Sequence, residues 1–455
     1  MSAPAVSRSR RGALLALGLI CAAPLAAQQR PRERALSLVA ALRLARDNSP
    51  ELRGARAAAD AAAGLVRQAG AFANPVLSYS RERTSRGAQT NAQNITQLEQ
   101  QLELGGQRGA RREAAQRRRD VAEAQVQLVR HRLDIDVVRT FALAIAATER
   151  ARLADQFTAV FTEAQRVSDQ RFAAGDISGY AARRLRLEAA RFAALRATAA
   201  LEHRSARTAL AALLGRAVSS PDSLVLADDL PALTSVLSRA VPSTDLPLDS
   251  LTKIAIASRP DIRAARFDAT ATEAEARLAA RSRLPVPVLS AGQKNERVAD
   301  GQSSLTGFTG YVAGFAIPLP LFDRRAGAIA AAQADVRVST AAVDAAVRRA
   351  TREVADAVDA LRSVDAQRIA LSPYMGDEAR RALTAVQVSY TEGEISLVEW
   401  LDAVRAYQDA QSTYTTLLAE VVVRHAALAQ VLGISLLTDS PQDGSDAAAA
   451  PSRKD

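Results

Sequence analysis

With 455 residues, 48% of them apolar and 24% charged, the chain is long enough for two or three ordinary domains and is not disordered. The formal net charge is +10 but aromatics are only 4%. Arginines interleaved with Asp and Glu along helical stretches, with few rings for base stacking, exclude a nucleic-acid partner and read as solvated helix faces. Lysine is nearly absent (Lys253, Lys294 and Lys454), and Ala and Arg, both strong helix formers, are used heavily.

Residues 1–27 read as an export signal peptide. Arg8, Arg10 and Arg11 form a basic start, Ala13 to Ala23 an apolar run, and Leu25-Ala26-Ala27 a site for cleavage before Gln28. Cys21, the only cysteine, falls inside this segment, and Ile20 and Gly18 suit a lipid-attachment signal poorly. Cleavage after Ala27 leaves a chain with no cysteine, so neither a disulfide framework nor a thiol metal site is expected. No later stretch approaches the ~20 continuous apolar residues of a membrane-crossing helix. Membrane residence would therefore require strands closed into a barrel.

An internal repeat organises the rest. Pro50-Glu51-Leu52-Arg53 with Ala55-Arg56 matches Pro260-Asp261-Ile262-Arg263 with Ala265-Arg266. Arg171-Phe172-Ala173-Ala174-Gly175-Asp176-Ile177-Ser178 matches Ser389-Tyr390-Thr391-Glu392-Gly393-Glu394-Ile395-Ser396, and Leu213-Leu214-Gly215 matches Val431-Leu432-Gly433. The first repeat spans 35–215 and the second 248–437. Residues 216–247, with several prolines and aspartates, link them, and a disordered tail is expected over 438–455.

In the first repeat a helix over 36–48 is broken at Pro50, because a residue before proline avoids helical angles. A second helix follows, from Glu51 to about Ala71. Extended stretches are expected over 75–83 and 94–104, joined by a polar turn around Gly87. Their counterparts are 286–294 and 308–319, joined around Gly301. Tyr311, Ala313, Phe315 and Ile317 alternate with Val312, Gly314 and Ala316, the period of a strand with one face in lipid. From Gly109 to Gly175 neither Gly nor Pro interrupts the chain, so one very long helix is expected, with a return helix over 180–214. Val121, Leu128, Ile135 and Ala142, with Ala124, His131, Val138 and Ile145, step by seven as a coiled-coil seam. Val126, Val129, Leu133 and Leu143 offer a second, weaker seam. The second repeat has the same plan (328–371, then 397–432), with a break from Pro373 to Gly376 that the first lacks.

Leu102-Glu103-Leu104-Gly105-Gly106-Gln107-Arg108, Pro318-Leu319-Pro320-Leu321-Phe322-Asp323-Arg324 and the two glycine-containing hairpin tips resemble the outer membrane factor family, the TolC-like outer membrane efflux proteins, most of all their CzcC and CusC heavy-metal branch. The resemblance covers about residues 35–437. It implies a mainly α fold with membrane β-strands. Two tandem repeats would supply long antiparallel coiled-coil hairpins to a periplasmic α-barrel, eight helices per chain, and four strands per chain to a trimeric 12-stranded β-barrel. The strand count independently demands an oligomer, because four strands cannot close a barrel. The implied function is the outer-membrane exit duct of a tripartite efflux pump, passing metal cations or drugs. The implied partners are two further copies of the chain, a periplasmic adaptor (membrane fusion protein), an inner-membrane pump and outer-membrane lipid.

Carried over by position, the adaptor-contacting tips are Gly175, Asp176, Ile177, Ser178 and Gly393, Glu394, Ile395, Ser396. Glu399 and Asp402, matched by Ala181 and Arg184 in the first repeat, would form acidic rings at a periplasmic constriction. Trp400 and Leu401 beside them are expected to pack inward. No catalytic, cofactor-binding or metal-ligating set is expected: His131, His203 and His425 are scattered, and no nucleophile motif or phosphate loop occurs. The rival reading is a periplasmic adaptor or coiled-coil scaffold, which would usually carry one hairpin rather than two.

Overall fold

The computed structural model describes residues 35–215, 224–299 and 305–436. The expected export segment, the tail, the loop around Gly301 and the first part of the linker lie outside them.

The first repeat opens with helices Leu38–Asn48 (α1) and Pro50–Ala69 (α2). Ser49 breaks them apart and caps α2, its hydroxyl accepting from the Leu52 N–H at 3.1 Å. Pro50 occupies the first helical position, where its missing N–H costs nothing. Strands Val76–Arg86 (β1) and Gln89–Gln101 (β2) pair antiparallel through a turn of only Gly87 and Ala88, with Gly87 at φ +59°. Helix Gln107–Ala173 (α3) is continuous over 67 residues, about 100 Å at 1.5 Å per residue. Helix Gly179–Leu213 (α4) returns along it.

The linker holds a helix that its composition did not suggest, Leu230–Ala240 (α5). Its Asp and Pro are start signals: the Asp229 carboxylate accepts from the Ala232 N–H at 2.7 Å and Pro231 sits in the first turn. Leu230, Leu233 and Leu237 are buried. The second repeat follows with Leu248–Ser258 (α6), Pro260–Arg281 (α7), strands Val288–Ala299 (β3) and Leu305–Ala316 (β4), and Ala326–Leu371 (α8). At Pro373 the descending helix breaks into a 3₁₀ turn, Ser372–Tyr374, and resumes as Asp377–Glu392 (α9). Leu397–Leu432 (α10) returns. The described residues thus hold ten α-helices where eight were expected. The two extra come from α5 and from the broken descending helix.

The repeat anchors are explained by contacts that recur in both halves. Each half ends on a glycine pressed against the junction that precedes its proline. The Asn48 amide donates to the Leu214 carbonyl at 2.9 Å, and the equivalent Ser258 hydroxyl donates to the Leu432 carbonyl at 2.7 Å. Gly215 (φ +66°) lies against Asn48, and Gly433 (φ +67°) against the Arg259 backbone, where a β-carbon would come within 2.6 Å. Only glycine meets both demands without strain.

The halves interleave. α7 packs on α3, and α10 packs on both α3 and α8. The Arg118 guanidinium on α3 reaches Asp268 at 2.6 Å and Glu275 at 2.5 Å on α7, and Arg277 reaches back to Glu113 at 2.8 Å. Most of the predicted seam lies inward: Ala124, Ile135, Val138, Ala142 and Ile145 are buried and Val121, Leu128 and His131 half-buried. Of the weaker seam, Leu133 is buried but Leu143 faces outward in the protomer.

The principal core joins α1, the middle of α3, the end of α4, α5 and α10 around Phe141, Leu42 and Leu210. Within it the Arg46 guanidinium makes a two-point bond to Asp134, Nε to Oδ1 at 2.7 Å and a terminal nitrogen to Oδ2 at 2.6 Å. In the second half an arginine at a different position, Arg259 at the α6–α7 junction, reaches Glu353 on α8 at 2.7 Å. α10 is long and apolar enough to cross a membrane by composition. Its apolar residues, among them Trp400, Leu401, Val421, Val422 and Leu428, are instead buried in the cores.

Candidate functional site

Two regions carry functional geometry: the sheet at one end of the long helices and the hairpin tips at the other. All four strands form one antiparallel sheet in the order β1-β2-β3-β4. The central β2–β3 pair joins the repeats, as in Leu98↔Ala291 and Gln93↔Glu296. Strands of 11 to 13 residues meet or exceed the ~9–11 needed to cross a bilayer at a tilt. They also run closer to the turn than their apolar residues suggested. Ladder pairing uses the backbone, so the polar stretch 84–93 pairs as well as the apolar one.

The register sorts side chains onto two faces. One carries Leu77, Tyr79, Leu98, Leu289, Ala291, Tyr311, Ala313 and Phe315, with Tyr311 93% and Phe315 78% exposed. The other carries Ser78, Ser80, Glu82, Gln93, Gln97, Glu99, Ser290, Lys294 and Glu296. On β3 the second set is half-buried and the first exposed in strict alternation, so the sheet curls with its polar face concave. There Glu296 accepts from Asn91 at 2.7 Å and pairs with Lys294 at 3.1 Å. A convex apolar face and a concave polar one suit lipid outside and water inside. Among the described residues the outer edges of β1 and β4 have no partner strand.

The two tips are built alike. In the first, Gly175 at φ +86° ends α3, the Asp176 N–H donates to the Arg171 carbonyl at 2.9 Å, and the Ser178 hydroxyl caps α4 through the Ala181 N–H at 3.2 Å. In the second, Gly393 at φ +82° ends α9, the Glu394 N–H donates to the Ser389 carbonyl at 2.9 Å, and the Ser396 hydroxyl caps α10 through the Glu399 N–H at 3.3 Å. Both are helix stops with a left-handed glycine and a bond reaching five residues back. Gly175, Asp176, Ser178, Gly393, Glu394 and Ser396 are exposed, while Ile177 and Ile395 are half-buried.

Glu399 and Asp402 are both exposed on the first turns of α10. The Glu399 carboxylate turns back to accept from the Ser396 N–H and hydroxyl, both at 2.8 Å, completing a capping box. Those two bonds, the backbone one foremost, hold its carboxyl below the usual carboxylate range. Asp402 lies 3.4 Å from Arg405, which also grips Glu188 on α4. Trp400 is fully buried, as is Leu401.

Trp400 belongs to an aromatic cluster that the sequence reading missed. Phe161 stacks on Phe192 at 4.1 Å between ring centres, with Trp400 at 5.5 Å, and Tyr390 stacks on Trp400 at 5.1 Å. The Trp400 indole donates to Gln387 at 2.9 Å. The cluster binds the first hairpin (α3, α4) to the second (α9, α10) just above the tips. In a chain with so few rings, their gathering near both tip motifs was the available signal. His131, on the predicted seam, lies 3.3 Å from the Gln430 carbonyl, and burial lowers its pKa. Among the described residues no group of three or more His, Cys, Asp or Glu is placed to hold a metal ion.

Residues 251–434 match the family model described as outer membrane efflux protein. The chain is 29% identical over 408 residues to the cobalt-zinc-cadmium resistance protein CzcC of Cupriavidus metallidurans, covering 89% of this chain and 92% of that protein. Its fold is similar to that of CusC, with a TM-score of 0.67 at 20% identity over 88% of this chain and 92% of that one. It is equally similar to the outer membrane protein VceC of Vibrio cholerae, with a TM-score of 0.67 at 22% identity over 88% and 97% of the two chains.

Proposed function

We propose that the chain, which resembles the outer membrane efflux proteins, is an outer-membrane channel of a tripartite efflux pump, and that three copies close into one continuous exit duct for divalent metal cations. The observation that carries the trimer is the four-stranded sheet with two open edges, apolar on its convex side. Open edges do not persist in hydrocarbon, where every backbone polar group needs a partner. Four strands are too few to close, and three copies supply twelve. The edge of β1 in one copy pairs with β4 in the next. The mass of the detergent-solubilised particle tests this: three chains are expected, and a stable single chain overturns it.

The tips Gly175 to Ser178 and Gly393 to Ser396 dock on the adaptor. Their shared geometry and exposure at the end opposite the sheet support that reading. Cysteines placed at Asp176 and Glu394, in a chain whose only natural cysteine is Cys21, should cross-link to the adaptor in membranes. Failure at both tips sinks the idea. Glu399 and Asp402, exposed three residues apart just inside the second tip, line the narrow end in two carboxylate rings that favour cations. Because Ser396 holds the Glu399 carboxyl below the ordinary range, that carboxylate keeps its charge to a lower pH than an ordinary glutamate does. Single-channel cation selectivity should drop in Glu399→Ala with Asp402→Ala, and unchanged selectivity refutes the rings.

The cargo reading rests on the likeness to a cobalt-zinc-cadmium resistance protein. Deletion should sensitise cells to divalent metals rather than to dyes. The reverse pattern would reassign the cargo.

A further inference from the structure

The strand register places the strand carboxylates on one face and three arginines on the other; Lys294 and Arg86 share the carboxylate face. Arg81, Arg83 and Arg297 all fall on the convex face, while the strand carboxylates Glu82, Glu99 and Glu296 all fall on the concave one. The three arginines are exposed. Arg83 and Arg297 lie in one cross-strand row on either side of Ala92, and Arg81 lies in the adjacent row beside Asn94. With strands ~4.8 Å apart and ~6.8 Å between same-face neighbours, the three guanidinium groups share one small patch. The patch sits at the turn end of the sheet, remote from the helices.

Its height above the apolar belt locates it. The row of Arg297 is eight residues along β4 from Phe315, since Arg297 pairs with Gly307. That is about 27 Å along the strand, or about 21 Å along the membrane normal at a ~40° tilt. The apolar band of such a barrel is ~25 Å tall. The arginines therefore stand where hydrocarbon gives way to head groups, on the outward face of the leaflet remote from the helices. A cation placed there without a carboxylate neighbour on its own face is costly unless the lipid supplies the counter-charge. Guanidinium matches phosphate in two-point geometry.

We propose that Arg81, Arg83 and Arg297 form an outward-facing site for the phosphate groups of anionic lipid head groups in that leaflet, fixing the barrel's depth and rotation in the membrane. The inference rests on the barrel reading above, which sets the convex face against lipid.

The test uses the purified full-length channel in neutral detergent micelles doped with a bis-phosphorylated glycolipid, the same glycolipid with its phosphates removed, or free inorganic phosphate. Retained lipid is counted by native mass spectrometry. At roughly fivefold per arginine near an anionic surface, the triple variant Arg81→Gln, Arg83→Gln, Arg297→Gln should bind the phosphorylated lipid about 100-fold more weakly. The dephosphorylated lipid should not distinguish the two proteins. The variant Arg81→Lys, Arg83→Lys, Arg297→Lys keeps the charge and should retain most of the binding. Should the triple Gln variant not assemble, Arg83→Gln and Arg297→Gln are read singly, each expected to weaken binding about fivefold. Equal binding by wild type and Gln variants overturns the site, and so does competition by inorganic phosphate at concentrations matching the lipid. If the wild-type particle is a single chain, the barrel reading fails first. If it is a trimer whose lipid binding ignores these arginines, only the present inference fails.

Discussion

Replacing Asp134 by alanine should be among the costliest single changes in the helical part of the molecule. Asp134 takes two hydrogen bonds from Arg46, and the side chains are only 6% and 10% exposed, respectively. Solvent screens such a pair little, and removing the Asp134 carboxylate breaks a two-point bond to a buried guanidinium at a cost of about 3–5 kcal/mol. Replacing both partners, Arg46→Met with Asp134→Leu, removes the charge along with its need and should return stability to within about 1 kcal/mol of wild type or above it. Guanidinium denaturation in detergent, followed by far-UV circular dichroism, reads the shift. Fluorescence of Trp400, the only tryptophan, gives a local control, because position 134 is about 40 Å along α3 from the Phe161 that packs on it. Native emission should persist in Asp134→Ala before the main transition. A loss under about 1 kcal/mol, or a double variant as unstable as the single one, would refute the argument.

Gly433→Ala should cost at least about 2 kcal/mol, because its β-carbon meets Arg259 backbone at 2.6 Å while φ is +67°; a neutral denaturation midpoint would contradict the tie between α10 and the α6–α7 junction. Trp400→Ala should cost about 3–5 kcal/mol and loosen the hairpins at their tips, which limited proteolysis at the 175 and 393 turns would register as faster cleavage. His131, kept below its ordinary pKa chiefly by burial, charges more readily in the unfolded chain. Its contribution to stability is therefore intact above the unfolded value of ~6.5 and lost as pH falls through the folded one. His131→Gln should flatten that part of the acid-denaturation curve, and an unaltered curve would count against it.

Most of the helical plan was legible because its signals are local. Gly175 and Gly393 stop helices, Ser178 and Ser396 start them, and Pro373 breaks one; the return helix 397–432 was read to the residue. The mainly α fold with a few antiparallel strands is as expected. The strand ends were misjudged because apolar content marks the lipid-facing stretch, whereas pairing continues through polar residues to Gly87. α5 was hidden by its own start signals, since an Asp-Asp-Leu-Pro run reads as a linker until Leu233 and Leu237 find a core. At the tips, the family resemblance singled out Glu399 but not its bond to Ser396, and the gathering of rings near both tips did not show by itself that Phe161, Phe192 and Trp400 meet, since they come from three different helices. Arg46 and Asp134, 88 positions apart, lay beyond the reach of any local pattern.

The order β1-β2-β3-β4 also dictates a schedule. A chain exported amino end first releases the β1–β2 hairpin long before β3, its central partner, which lies roughly 190 positions downstream (Gln100 against Leu289). During that interval β2 is an exposed edge, the template for off-pathway pairing. Such distant closure is the slow kind, because the chain loses freedom well before the contact rewards it. The long helices have no such wait, since α3 and α4 adjoin in sequence and pack along their lengths. The tunnel half can thus zip up while its membrane half is still incomplete, and insertion into the bilayer is reserved for the last step, when the second hairpin arrives.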